Sequence, residues 1–167
     1  YRKTGRYLGC YRDGHRRRLP YYGSNSTSFE GCQDCTLENR GLIQANSIDT
    51  IFALNAQNIK ITNAQNGYMW AENYVLRLSE PGFTSDSVTV YNAGKMVTEY
   101  NYTVFAESIQ NLTLENALAA EIGTQYKNAI SMDKAESSSV LNKGSLYAGD
   151  RTIGIAGSKH VQVTNAT

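Results

Sequence analysis

Short strings in which apolar and polar residues alternate recur along most of the chain. Residues 58–64 read NIKITNA, and SVTVYNA (87–93), NLTLENA (111–117) and HVQVTNA (160–166) repeat the same frame. SSSVLNK (137–143) keeps only its second apolar residue and the asparagine. Alternation with a period of two predicts strands rather than helices. Recurrence at intervals of about 23–29 residues is typical of a solenoid of stacked units.

Each repeat has an apolar partner before it, and the first four also have one after it, which predicts two more strands per unit. The upstream positions are Ile51, Leu76, Val104, Ile130 and Ile153, and the downstream positions are Met69, Met96, Ile122 and Leu146. Three strands and three bends per unit predict an all-β parallel β-helix of about five coils over residues 41–167. An antiparallel sandwich is one alternative. An amphipathic helix over 107–122, with Ile109, Leu112 and Leu118 on one side, is another.

An asparagine ends every repeat and predicts a ladder of side-chain amides. The positions are Asn63, Asn92, Asn116, Asn142 and Asn165. Coils stack about 4.8 Å apart, so each amide can donate to the carbonyl of the next. Thr50, Thr103 and Thr152 align before the upstream strand and predict a second, partial column. Trp70 and Tyr68 fall in the first aligned coil, where packing or end-capping is the simplest interpretation.

The first 40 residues differ from the rest and are predicted to form a small cysteine-containing segment or end cap. They hold the chain's three cysteines, Cys10, Cys32 and Cys35. A structural disulfide of Cys10 with Cys32 or Cys35 is favoured over a zinc or redox site, because no second Cys pair follows Cys32-x-x-Cys35. An odd number of cysteines leaves one thiol free or paired to another chain.

Charge and sequons bear on where the protein works. Sixteen basic and fifteen acidic residues give a net charge of +1, which favours neither a nucleic-acid nor a membrane-surface partner. No apolar run is long enough to span a bilayer. The chain begins at Tyr1, as a secreted protein without its signal peptide or a fragment would. Clustered cysteines and four Asn-x-Ser/Thr sequons favour an extracellular or cell-surface location. We expect N-glycans on Asn25, Asn101 and Asn111, and none on Asn165, because it belongs to the ladder.

Two parts of the chain resemble known families. Residues 45–167 resemble right-handed parallel β-helix proteins, a superfamily that includes polysaccharide lyases, mannuronan epimerases, phage tailspikes and adhesins. This resemblance implies a fold more than an activity. YLGCYRDGHRRRLP followed by SFEGCQDC resembles the start of a WSC domain, a cysteine-rich extracellular module associated with carbohydrate binding. The matching residues are Gly9, Cys10, Tyr11, Asp13, Arg18, Leu19, Pro20, Glu30, Cys32 and Cys35; the further cysteines of that family are absent here.

Candidate chemistry is sparse along the chain. β-Helix lyases and epimerases need a cation and a base converging on one face, whereas Asp49, Asp86, Asp133 and Asp150 occur at most one per coil and out of register. His160 falls at a polar bend position. No cofactor or metal site is predicted. Weak glycan contacts are expected from the basic and aromatic residues of the N-terminal segment, which are Arg16, Arg17, Arg18, Tyr21 and Tyr22.

A β-helix has two sheet ends with unpaired backbone groups, and these ends favour self-association. The sequence therefore predicts a secreted, glycosylated structural protein that joins end to end as a subunit of an extracellular filament or cell-surface fibre. Head-to-tail pairing of this kind gives open filaments. The alternative is a carbohydrate-binding module, or an inactive or partial polysaccharide lyase or epimerase. Polysaccharide is a possible partner in either case.

Overall fold

The chain folds as a stack of β-coils preceded by a β-hairpin. The structure is a computed structural model that describes residues 27–46, 49–79 and 81–166 and the backbone of 9–12 and 15–18. Strands β1 (Gly9–Arg12) and β2 (His15–Arg18) pair antiparallel, with Gly9 opposite Arg18. From residue 27 onward every strand pairing is parallel, and no helix occurs in the described ranges.

Three parallel sheets run along the stack. Sheet 1 contains β3 (Thr27–Ser28), β6 (Ile51–Phe52), β9 (Leu76–Ser79), β12 (Val104–Glu107), β15 (Ile130–Asp133) and β18 (Ile153–Ala156). Sheet 2 contains β4 (Thr36–Asn39), β7 (Gln57–Asn63), β10 (Asp86–Asn92), β13 (Thr113–Asn116), β16 (Ser139–Asn142) and β19 (Gln162–Asn165). Sheet 3 contains β5 (Leu42–Ala45), β8 (Tyr68–Ala71), β11 (Lys95–Thr98), β14 (Glu121–Thr124) and β17 (Ser145–Tyr147).

The parallel β-helix prediction is confirmed, and both alternatives are wrong. Sheets 1 to 3 are parallel throughout, which excludes an antiparallel sandwich. Residues 107–122 contain β13 and the start of β14 instead of a helix. Thr113 and Leu114 pair in parallel with neighbours on both sides, so their backbone hydrogen bonds go to adjacent coils and not within the segment.

In the part of the chain that the structure describes, the stack contains five three-strand coils, coils 1 to 5, and a sixth coil represented by β18 and β19. Coil 1 spans residues 27–45, one unit earlier than the repeat alignment, which starts at Ile51. The sequence of β4, TLEN, is identical to that of β13. Its first inward position is occupied by Cys35, which is 1% exposed and lies in register with Ile59. The repeat is not recognisable in the sequence of coil 1 because a cysteine stands where the pattern has an aliphatic residue. Free or bonded cysteine can nevertheless fill a buried apolar site.

Three columns of inward side chains form one continuous core. In sheet 2 the column is Leu37, Ile61, Val90, Leu114 and Val140, each at most 1% exposed. The predicted columns of sheets 1 and 3 lie in register as expected, with Met96 between Met69 and Ile122. Ser138 replaces an aliphatic residue in coil 5, and its hydroxyl stays satisfied by accepting from the Leu112 amide and donating to the Glu136 carbonyl.

The bend between sheets 1 and 2 requires a left-handed residue in every coil. Asp34, Asn58, Ser87, Asn111, Ser137 and His160 occupy it, with φ between 51° and 56°. Asparagine and aspartate adopt this conformation more readily than most residues. His160 is exposed at this bend, where the sequence predicted a polar bend residue.

The cysteine pairing differs from the expected one. Cys32 and Cys35 form a disulfide, with their Cα atoms 6.2 Å apart, so neither is left to pair with Cys10. The bend at Asp34, whose φ is 55°, turns the chain between the two cysteines and brings them together. Cys10 lies in β1 opposite Arg17, and its side chain is outside the described part of the chain.

Candidate functional site

The glycan contacts expected in the N-terminal segment cannot be placed on a surface. Arg16, Arg17 and Arg18 lie in β2, where only the backbone is described, and β1 lies beside β4 of coil 1. Tyr21, Tyr22 and Asn25 are outside the described residues. These contacts stay predictions.

The described sequons have different surroundings. Asn111 is exposed, has a left-handed backbone, and donates its side-chain amide to Asp86 over 2.8 Å. Asn101 is half-buried and donates its amide to the Tyr74 hydroxyl over 3.0 Å. Thr103, the third residue of that sequon, is fully buried and bonds to the Gly123 carbonyl. On these contacts Asn111 is the more accessible acceptor in the folded protein.

A continuous ladder of asparagine amides follows the bend between sheets 2 and 3. Asn39, Asn63, Asn92, Asn116 and Asn142 each donate to the side-chain oxygen of the next asparagine over 2.6–2.8 Å. Asn39 adds a rung before the five that the sequence suggested. Asn165 is the acceptor at the far end but is exposed, so burial does not protect its own amide from modification. The ladder is structural, because its polar atoms are used by one another and by bend carbonyls.

The second predicted column, formed by threonines that precede the strands of sheet 1, is present in only some of the coils. Thr50 donates to the Trp70 carbonyl over 2.9 Å, and Thr103 makes the corresponding bond to Gly123 in coil 4. Val75 takes this position in coil 3. Thr152 is exposed in the sixth coil.

The four aspartates considered for catalysis lie on different elements. Asp49 precedes β6 and pairs with Arg77 at 3.5 Å, whereas Asp86 starts β10 and accepts from Asn111. Asp133 ends β15 and Asp150 precedes β18. Within the described ranges no three His, Cys, Asp or Glu side chains form a group that could hold a metal ion.

Several outward lysines and glutamates pair between neighbouring coils. The distances are 2.8 Å for Lys95–Glu121 and Lys143–Glu115, and 3.4 Å for Lys134–Glu107. These pairs are partly exposed, so each contributes little stability. They join coil 3 to coil 4 and coil 4 to coil 5.

Sheet 3 carries a depression with an aromatic residue at each end. It has a volume of about 590 Å³, and its lining includes Trp70, Val97, Glu99, Gln125 and Tyr147. Trp70, Val97, Gly123 and Tyr147 occupy one outward register position in four successive coils. Trp70, assigned by the sequence to packing or an end cap, therefore lines a surface. The period of two could have placed it outward, because it is adjacent to the inward Met69.

Gly123 shapes one end of this depression. A Cβ atom at Gly123 would lie 2.1 Å from ring atoms of Tyr147, so the tyrosine ring covers the space that a side chain would fill. Partial burial and a hydrogen bond to Glu121 raise the pKa of Tyr147 to about 12. The phenol is held as a neutral donor against sheet 3.

Sheet 1 carries an aromatic cluster on its outward face. Tyr74, Tyr102 and Phe105 have centroid separations of 5.4–6.1 Å. The Arg77 guanidinium lies 5.4 Å from the centroids of both Phe52 and Tyr74. Desolvation by burial raises the pKa of Tyr74. All five residues are half-buried, and their mutual contacts indicate a packed surface layer more than an open site.

The sixth coil presents a face that the other coils bury. Ile155 is 45% exposed and Val163 is 44% exposed, whereas Met132 and Val140, their partners in coil 5, are each 1% exposed. Strands β18 and β19 pair only with coil 5 among the described strands. This end therefore combines exposed apolar side chains with backbone groups that no described strand satisfies.

These features define a parallel β-solenoid protein. In comparisons with protein-family models, curated proteins and solved structures, the chain matched none of them. No helix in the described ranges is long and apolar enough to cross a membrane.

Proposed function

We propose that this protein is an extracellular structural β-solenoid that assembles end to end as a subunit of a filament or cell-surface fibre. One observation carries the proposal, the exposed inward face of the sixth coil. Ile155 and Val163 continue core columns that are buried in the preceding coils, and Asn165 continues the amide ladder. Another coil with the same geometry would bury these side chains and pair both strand edges.

The partner that we propose for this face is a second copy of the same chain. Secretion is part of it, supported by the Cys32–Cys35 disulfide, which is typical of oxidising compartments, and by the exposed Asn111 sequon. The two ends of the stack are unlike, since β1 lies beside β4 at the first coil. Head-to-tail contact gives open filaments, and two-fold contact between sixth coils gives closed dimers.

The test introduces a charged side chain on the exposed inward face of the sixth coil. We expect the wild-type protein to form dimers or filaments in light scattering and electron microscopy as its concentration rises. Val163→Lys should abolish assembly and leave the melting temperature of the monomer nearly unchanged, because Val163 is already 44% exposed. Leu118→Lys is the matched control, since Leu118 is 80% exposed but lies on a lateral turn.

Two results would contradict the assembly. One is a wild-type protein that stays monomeric at every concentration. In that case further residues of the same protein, and not a second copy, would cover the face of the sixth coil. The other is equal assembly by Val163→Lys and the wild type. The proposal includes no catalytic step, so unsaturated uronate products released from a polyuronate would also contradict it.

Carbohydrate binding is the second candidate function, and the depression on sheet 3 favours it. Trp70 and Tyr147 offer aromatic surfaces for the apolar face of a sugar ring, and Glu99 and Gln125 offer polar groups to its hydroxyls. Val97 forms an apolar part of the lining. An uncharged oligosaccharide of a few rings is the ligand that this lining fits best.

Trp70 is the chain's only tryptophan, so its fluorescence reports directly on this depression. Neutral oligosaccharides of glucose and of N-acetylglucosamine serve as probes. We expect a saturable change in emission, and Tyr147→Ala should weaken binding at least tenfold. Tyr91→Ala is the matched control, since Tyr91 is similarly exposed on sheet 2. Unchanged emission with every probe would count against glycan binding here.

A further inference from the structure

Two exposed tyrosines stack face to face between coils 3 and 4. The centroids of Tyr100 and Tyr126 lie 5.8 Å apart, and the ring planes meet at 14°. The residues are 49% and 54% exposed. Thr98 and Thr124 pair with each other in sheet 3, and Tyr100 and Tyr126 lie two residues after them. The two tyrosines therefore occupy the same position in successive coils. The stack therefore arises from the coil register.

The stack differs from the other tyrosine contact in the described ranges. Tyr74 and Tyr102 are half-buried, tilted by 31°, and packed against Phe105, and the Tyr74 hydroxyl accepts from Asn101. Tyr100 and Tyr126 are open to solvent. Exposed side chains can turn about their χ angles, whereas packed ones cannot.

A proton acceptor lies next to the stack. Hydrogen bonding to the adjacent Glu99 carboxylate and the charge of that carboxylate raise the pKa of Tyr100. A phenol that loses an electron also loses its proton. The carboxylate of Glu99, the preceding residue, is a base that can take that proton.

We propose that Tyr100 and Tyr126 form an oxidative cross-linking site, at which a peroxidase and hydrogen peroxide join the two rings as dityrosine. Each phenol gives up one electron and one proton. The two radicals form a carbon–carbon bond between ring carbons ortho to the hydroxyls, and the two displaced ring hydrogens restore the phenols. Hydrogen peroxide takes the two electrons and two protons and leaves as two waters.

Proximity makes this pair preferred over collisions between molecules. Two groups held in contact react at a high effective concentration, whereas other exposed tyrosines must meet a second protein. The bond would close the chain between residues 100 and 126 and join coil 3 to coil 4. A cross-link of this kind restricts the unfolded chain as a disulfide does. The inference does not depend on the proposed end-to-end assembly.

The experiment treats dilute protein with a haem peroxidase and hydrogen peroxide. We expect a monomer lighter by two hydrogens, dityrosine fluorescence at a yield independent of protein concentration, and a raised melting temperature. Cleavage after glutamate leaves Tyr100 and Tyr102 in residues 100–107 and Tyr126 in residues 122–136, so the linked peptides place one end of the bond at Tyr126, and fragment ions of the 100–107 peptide tell Tyr100 from Tyr102.

Conservative variants decide whether the stack is responsible. Tyr100→Phe and Tyr126→Phe should each remove the intramolecular product, and Tyr102→Phe, the matched control from the packed cluster, should retain it. Undiminished dityrosine in Tyr100→Phe would overturn the proposal. A yield that rises with protein concentration, or a link between other tyrosines, would overturn it as well.

Discussion

At the residue scale, Asn116 shows why one amide is needed at the bend between sheets 2 and 3 in every coil. Its side-chain oxygen accepts from Asn92, and its amide donates to Asn142 and to the Ser145 carbonyl. Asn116 is fully buried. Because no solvent reaches these groups, each lost partner leaves a buried polar atom unsatisfied.

Replacing Asn116 by Ala should lower the free energy of unfolding by about 1–3 kcal/mol, the cost of unsatisfied buried polar groups. Urea denaturation of the variant and the wild type measures the change. Asn165→Ala is the matched control, because Asn165 is exposed and only accepts from one neighbour, Asn142. Equal losses in the two variants, or no loss at Asn116, would count against the ladder as a stabilising element.

Single residues also mark the limit of prediction from the repeat. Asn39 makes the same ladder contact as the predicted asparagines, but Cys35 precedes it where an aliphatic residue was expected, and Arg40 follows where alanine was expected. Ser138 similarly occupies a buried position at 2% exposure. Cys35 and Ser138 are both tolerated in the core. A buried position needs a side chain that fills the space and has its polar atoms hydrogen bonded, and more than one residue type can meet this need.

At the scale of elements, sheet 3 shows how register creates a surface. Trp70 and Tyr147 are three coils apart in the stack but share one outward column. Alternation within β8 predicts that Trp70 faces outward once Met69 faces inward. The depression also depends on Gly123, which leaves space for the Tyr147 ring. No pattern in the sequence predicts this contact.

The raised pKa of Tyr147 predicts that the folded protein loses stability at alkaline pH. Its pKa is raised to about 12 in the folded protein, from an ordinary value near 10. The folded state therefore holds this proton more tightly than the unfolded state, and the stabilisation is present below pH 10 and is lost as the pH rises from about 10 to 12. Tyr147→Phe should weaken the alkaline decline in melting temperature within that window.

Spectrophotometric titration of tyrosinate measures the same group. We expect wild type to contain a tyrosine that ionises near pH 12 and Gly123→Ala to shift that step downward, because the added Cβ displaces the ring. Tyr91→Phe removes an exposed tyrosine from sheet 2 and is the control. An unchanged high-pH step in both Tyr147→Phe and Gly123→Ala would show that Tyr147 is not the group responsible.

At the scale of the whole molecule, a solenoid makes contacts only between adjacent coils, so its stability is a sum of local terms. Coils 2 to 5 have neighbours on both sides, although β17 of coil 5 pairs only with β14. The sixth coil has a described neighbour only in coil 5, and its side chains at Ile155 and Val163 are exposed. Local opening is therefore expected to be easiest at β18 and β19.

Hydrogen exchange should reveal this gradient. We expect amides of β10 and β13 to exchange slowly and those of β18 and β19 to exchange faster than those of β15 and β16, because β18 and β19 pair on one side only and their inward side chains Ile155 and Val163 are exposed. Under conditions that favour assembly, protection of β18 and β19 should rise while that of β10 stays constant. Uniform protection along the stack of a confirmed monomer would contradict the picture of independent neighbouring coils.

The sequence by itself determined the strands of coils 2 to 6, their inward faces and their stacking order, whereas coil 1 and the hairpin emerged only from the structure. Apolar alternation decides which side of a strand is buried, and the repeat spacing decides that equivalent strands stack in parallel. Both properties are local or periodic, so they can be read along the chain. Only the tertiary structure decided that Cys32 pairs with Cys35, that Asn165 ends the described ladder exposed, and that Tyr100 stacks on Tyr126. The disulfide depends on the left-handed bend at Asp34, and the other two features depend on how neighbouring coils lie against one another. No alternation of apolar and polar residues encodes either of these.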